Sequence, residues 1–243
     1  MNATSASRAE APAEPARRRI LVWDAPVRVF HWLIVLSFAG AWLTAESERW
    51  RLMHVTLGYT LAGLVAFRIL WGLVGTRHAR FSSFVRGPAA VAHYFRAMLR
   101  GRPQHYAGHN PAGAVAIVAM LVLAVAITAS GWAVFNSVGG DWLEEAHEAA
   151  AYLMLALVGV HIAAVVLSSW LHKENLVGAM VTGRKAGQPD EGVHSAWRSV
   201  AALMLVAVLG FWYLQWQGAP PAGGFADTPM ASAKARDIDR DHD

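Results

Sequence analysis

The chain alternates long apolar runs with short polar segments. A run of about 18 or more residues with few charges marks a membrane span, because crossing ~30 Å of hydrocarbon at ~1.5 Å per residue takes about 20 residues. Five runs qualify: Val29–Ala45, Leu52–Val74, Pro111–Phe135, Trp142–Trp170 and Ala196–Trp216. Pro111 suits the first turn of a helix, and the fourth run is long enough to project beyond the bilayer. The connections Glu46–Arg51 and Asn136–Asp141 are short; Gly75–Asn110 is longer, with an amphipathic interfacial helix expected over Pro88–Leu99. Met1–Ala16 lacks an apolar core, so it reads as a disordered arm and not as a secretory signal.

The pattern predicts an all-α membrane protein: a four-helix transmembrane bundle with a fifth, C-terminal transmembrane helix. Its expected parts are a disordered cytoplasmic arm (1–19), the bundle domain (20–186), a linker with the fifth helix (187–217) and a disordered periplasmic tail (218–243). The chain is 55% hydrophobic and 16% charged, against roughly 25% charged in ordinary soluble domains. Most of its 21 Lys and Arg fall in the N-terminal arm, the 75–110 loop and the 173–198 link, all on one side of the membrane. That side is cytoplasmic by the positive-inside rule, so a bacterial inner-membrane protein is expected with its N-terminus in and its C-terminus out. The same topology accounts for the net charge of +4 without nucleic acid.

The absence of cysteine excludes disulfides, thiolate metal sites, iron–sulfur clusters and covalently attached haem. Histidine, in contrast, occurs 11 times. His31 opens the first span, His54 opens the second, and His147 and His161 both lie on the fourth. The two on the fourth span are separated by ~21 Å of helix rise and fall about 40° short of whole turns, so both leave one face at two depths. Chain direction matches His161 in depth with His31, and His147 with His54. Two histidine pairs stacked across a bilayer are what two six-coordinate haems require, one imidazole on each side of each iron. Ionisable side chains inside a membrane are costly unless paired or functional. The other seven (His78, His93, His105, His109, His172, His194, His242) read as solvated loop or tail residues.

Two accessory residues join the candidate cofactor-binding set. Gly58 follows His54 by one helical turn, and a missing side chain there lets a flat macrocycle approach, although ordinary small-residue packing explains it equally well. Arg68 lies fourteen residues after His54, near the cytoplasmic haem level. It either pairs with a haem propionate or snorkels to the interface.

Several stretches resemble the bacterial cytochrome b561 family, which includes the b-type cytochrome subunits of nickel–iron hydrogenases. They are Trp23-Asp24-Ala25-Pro26-Val27-Arg28-Val29-Phe30-His31-Trp32, the His54 segment, Arg68-Ile69-Leu70-Trp71-Gly72, Ala79-Arg80-Phe81, Gly108-His109-Asn110-Pro111-Ala112-Gly113, the His147/His161 helix and the link Asn175–Lys185, together covering about residues 20–186. The resemblance implies a four-helix bundle with two haems b ligated by His31, His54, His147 and His161. It further implies electron transfer between membrane quinone and a redox partner, such as a hydrogenase, another periplasmic dehydrogenase or a cytochrome c. The fifth span and the tail fall outside it.

Bis-histidine iron has no open position for bond chemistry, so no catalytic residue is assigned and outer-sphere electron transfer is the expected task. One alternative is a stand-alone superoxide:quinone oxidoreductase, an activity the family includes. Another, from a different class, is a metal-ion or proton transporter using the histidines as a relay, which the shortage of Asp and Glu within the spans disfavours.

Overall fold

The computed structural model describes residues 18–101 and 106–218. The chain divides into two compact units, Met1–Leu205 and Val206–Asp243. In order, the first unit contains strand β1 (Arg18–Leu21), helices α1 (Ala25–Thr44), α2 (Arg51–Val74), α3 (Phe81–Phe84), α4 (Pro88–Leu99), α5 (Pro111–Phe135), α6 (Trp142–His172) and α7 (Leu176–Thr182), strand β2 (Arg184–Gly187), and the start of α8 (Arg198–Gln217). The rest of α8 falls in the second unit, where Val206, Leu209, Leu214 and Trp216 are exposed apolar residues. Among the described residues five helices are long and apolar enough to cross a membrane, and they correspond to the five expected spans.

The helix ends follow local chemistry. α1 begins at Ala25, four residues before the expected start, because Asp24 caps it: its Oδ1 accepts from the Val27 N–H at 2.8 Å, and a proline occupies the first turn. Both α4 and α5 start on a proline, where expected, and the Asn110 side chain caps α5 through the Gly113 N–H. α6 runs on to His172 and stops at Lys173, which adopts left-handed geometry. α8 starts at Arg198, two residues later than expected, because Trp197 has φ +49° and the Ala196 carbonyl is taken by the Ala25 N–H.

Along the bundle α1 packs on α2, α2 on α5, and α5 on α6. At mid-depth Val65, Ala124, Ile127 and Met154 form a buried apolar cluster, with Ile34 and Phe38 of α1 and Val158 of α6 against it. Burying such side chains contributes roughly 1.5–3 kcal/mol each in water; within a bilayer the same contacts hold the helices through dispersion and close fit.

The expected all-helical fold omitted one element. β1 pairs antiparallel with β2, Arg18 opposite Gly187 and Leu21 opposite Arg184. The expected arm over residues 1–19 therefore loses Arg18 and Arg19 to a strand; its remainder, and the expected tail beyond Gly218, lie outside the described residues. The pairing continues as the Val22 and Trp23 N–H groups donate to the Gly183 carbonyl at 2.8 and 3.1 Å. Gly183 has φ +79°, and a Cβ there would lie 2.5 Å from the Trp23 carbonyl oxygen, so the turn requires glycine. The link after α6 thus wraps the start of α1. It is pinned further by Arg28 Nη1 to the Val181 carbonyl (2.6 Å), His78 Nε2 to the Glu191 carbonyl (2.7 Å) and the buried ion pair Lys185–Glu174 (3.2 Å).

Candidate functional site

At one end of the bundle, His54 of α2 and His147 of α6 face each other with ring centroids 6.2 Å apart. Two imidazoles on opposite sides of one metal ion, each at a metal–nitrogen distance of about 2 Å, have centroids roughly 6 Å apart. Each ring is held by its other nitrogen. His54 Nδ1 lies 2.8 Å from the Ala41 carbonyl oxygen, and His147 Nδ1 lies 3.0 Å from the Ile127 carbonyl and 3.2 Å from Ser130 Oγ. A carbonyl only accepts, so each Nδ1 carries the hydrogen and each Nε2 keeps its lone pair for a metal. Ala41 is among the last four residues of α1, whose carbonyls lack backbone partners within the helix, so its oxygen can accept from His54 alongside the Thr44 hydroxyl at 3.2 Å.

Glycines shape this end. A Cβ at Gly131 would sit 2.8 Å from His147 Cε1, so the ring's approach to α5 depends on that glycine. A Cβ at Gly58, one turn after His54, would meet no atom within 4 Å, which leaves room for a planar group beside the ring.

At the opposite end lie His31 of α1 and His161 of α6, both half-buried. His31 packs edge-on against Trp32 at 5.1 Å, and its Nδ1 is buried without a partner among the described residues. The mid-depth apolar cluster separates the two levels: Ile34 and Phe38 lie between His31 and Ala41, Val65 between His54 and Arg68, and Met154 and Val158 between His147 and His161. Among the described residues no three His, Cys, Asp or Glu gather into a metal site. Histidines in twos fit an iron whose four in-plane ligands come from a porphyrin.

Arg68 is only 4% exposed, and its guanidinium stacks over Phe81 at 4.9 Å. Its Nη1 has no hydrogen-bond partner among the described residues. A buried guanidinium with an unpaired nitrogen suits a carboxylate such as a propionate, and the burial speaks against snorkelling.

The loop histidines split. His93 and His194 are exposed, as expected, and His105 and His242 lie outside the described residues. His172 Nδ1 bonds the Ser168 carbonyl at 3.0 Å, and His78 is bound as described above. His109 departs furthest from the solvated role expected of it. Its ring packs between Trp23 (4.5 Å) and Phe84 (4.7 Å), and its Nδ1 is buried and unpartnered among the described residues. Burial, and then the nearby Arg68, His78, Lys185 and His161, push its pKa down to about 3. An unfolded histidine titrates near 6.5, so between about pH 6.5 and 3 the unfolded chain binds a proton that the folded chain refuses. This group's contribution to stability is therefore complete above that window and lost as pH falls through it. Melting of the purified protein in detergent at a series of pH values checks this: His109→Gln should flatten the acid-side decline, and an unchanged slope would contradict the assignment.

Comparison with known proteins follows the same lines. Residues 22–183 match the family model for prokaryotic cytochrome b561. The matched segment begins and ends at the two residues joined by the Val22 N–H to Gly183 carbonyl bond. A probable Ni/Fe-hydrogenase B-type cytochrome subunit of Bradyrhizobium diazoefficiens is 26% identical over 224 residues, covering 73% of this chain and 91% of that protein. The counterpart from Rhodobacter capsulatus is 23% identical over 227 residues (73% and 86% covered), and the probable Ni/Fe-hydrogenase 1 B-type cytochrome subunit of Escherichia coli is 26% identical over 141 (47% and 60% covered). No solved structure matches. The chain belongs to the prokaryotic cytochrome b561 family and is a multi-pass membrane cytochrome of the b type, with haem b as its cofactor and electron transfer as its role.

Proposed function

We propose that residues 20–186 hold two haems b, one between His54 and His147 and one between His31 and His161. On this basis the chain carries electrons between a redox partner in the periplasm and quinone in the bacterial inner membrane. The 6.2 Å facing of His54 and His147, each with Nδ1 on a carbonyl, carries the proposal. Haem b supplies reversible one-electron storage. The protein does the rest: the carbonyls of Ala41 and Ile127 orient the ligating rings, Gly58 leaves space beside one of them, Arg68 offers charge to a propionate, and the mid-depth cluster keeps water from between the two levels.

The relatives' names favour a hydrogenase-type partner. Arg77, Arg80, Arg86, Arg96 and Arg100 lie on the side of the His31/His161 level, which makes that side cytoplasmic by the positive-inside rule. The outer side is short-looped and acidic, with Asp141, Glu144 and Glu145 exposed beside His147. Electrons from the periplasm then arrive at the His54/His147 level, and quinone is served from the His31/His161 level.

Pyridine haemochrome assay of the pure protein should give close to two haems per chain, extractable by acid acetone. A value near one would remove one histidine pair from the proposal, and a colourless protein would overturn it. In liposomes of fixed orientation an impermeant reductant should reduce both haems from the periplasmic face; reduction from the cytoplasmic face alone would reverse the direction.

A further inference from the structure

The two histidine pairs lie in unlike surroundings, and the differences act in one direction on an added electron. At the His54/His147 end both rings give their Nδ1–H to a backbone carbonyl, at 2.8 and 3.0 Å. Ser130 Oγ, whose own hydrogen goes to the Ala126 carbonyl at 2.7 Å, is a second acceptor 3.2 Å from His147 Nδ1. Acceptors on Nδ1–H make Nε2 a stronger donor, and a stronger donor favours the oxidised, more positive iron. At the other end His31 Nδ1 is buried without such a partner among the described residues.

Charge adds to this contrast. Arg68, buried near the His31/His161 level, carries a positive charge whose Nη1 is unpartnered among the described residues. Asp24 offsets part of that charge, but its oxygens are committed to the Val27 N–H, the Trp71 indole and the Thr76 hydroxyl. A buried cation stabilises a nearby electron far more than an exposed one, because the surrounding dielectric is low. At the His54/His147 end the described charges are mostly acidic and exposed: Glu46, Glu48, Asp141, Glu144, Glu145 and Glu148, against Arg49 and Arg51. Water and salt screen them, so they contribute less than Arg68, but with the sign that opposes reduction. The positive N-terminal end of α6 works the other way, and it fades within the first turn, before His147.

We propose that the chain sets its two haem sites at different reduction potentials, lower at His54/His147 and higher at His31/His161, with Arg68 as the chief residue raising the second. An electron delivered to the first site then runs downhill to the second. The ordering rests on the two-haem reading above and holds whichever way the protein faces in the membrane.

Potentiometry of single-haem variants tests it. His147→Ala retains the His31/His161 site, and His31→Ala retains the His54/His147 site. The midpoint left in His147→Ala should be the higher of the two, and each should match one wave of the intact protein. Arg68→Gln should lower the upper wave and leave the lower one in place, whereas Arg68→Lys should restore it. The reverse order of midpoints, or an equal shift of both waves in Arg68→Gln, overturns the ordering. A haem content other than one per chain in the histidine variants overturns the pairing itself. Should Arg68→Gln fail to fold, the two histidine variants still decide the order.

Discussion

Alanine at His31 or at His161 should remove one haem, alanine at His54 or at His147 should remove the other, and the two members of each pair should share one reduced spectrum. Each substitution should take the haem content from about two per chain to about one, since an iron deprived of one of its two protein ligands is held by the other alone. The effect stays at its own level because the Val65, Ala124, Ile127 and Met154 cluster lies between the levels and touches side chains from all four helices of the bundle. For the His54/His147 level the pairing is direct, with rings 6.2 Å apart. For His31 and His161 it rests on helix rise. Haemochrome assay and reduced-minus-oxidised spectra of the four variants check the assignment. If His31→Ala matched His54→Ala instead of His161→Ala, the pairing by depth would be wrong.

Asp24→Ala should destabilise the protein by about 3–7 kcal/mol, one lost cap and two donors left unpaired. The side chain is 1% exposed and performs three tasks. It caps α1 through the Val27 N–H, and it accepts from Trp71 Nε1 at 3.0 Å and from Thr76 Oγ1 at 2.7 Å, tying the start of α1 to the end of α2. Loss of the cap costs about 1 kcal/mol, and each buried donor left without a partner costs a further ~1–3 kcal/mol. Asp24→Asn keeps the capping oxygen but turns an amide nitrogen towards two donors, so it should fall between alanine and the parent. Thermal unfolding in detergent, followed by haem absorbance, measures the series. A midpoint for Asp24→Ala equal to the parent would show that these bonds hold nothing together. The result also bears on the bundle's chemistry, because Asp24 is the anion whose field reaches Arg68.

The five spans and the meeting of His54 with His147 were legible from residue order, since both depend on local quantities. Span length is set by hydrocarbon thickness, and depth by the rise per helical residue, so Pro111–Phe135 emerges with its ends in place. The match of His54 with His147 follows from the same arithmetic. Other features depend on segments far apart in the chain. Arg18–Leu21 and Arg184–Gly187 are short and basic, without the alternation of a half-buried strand, and they pair only because the bundle brings both to one end. His109 sits in a polar loop and looks solvated; Trp23 and Phe84, contributed by two other segments, enclose it. The hydrogen bonds that hold His54 and His147 go to backbone carbonyls, which every residue possesses, so no side-chain pattern marks Ala41 or Ile127. Apolar runs and helical rise state where a histidine lies along the membrane normal, whereas the partner of its second nitrogen is chosen by the lateral packing of α1 on α2 and of α5 on α6.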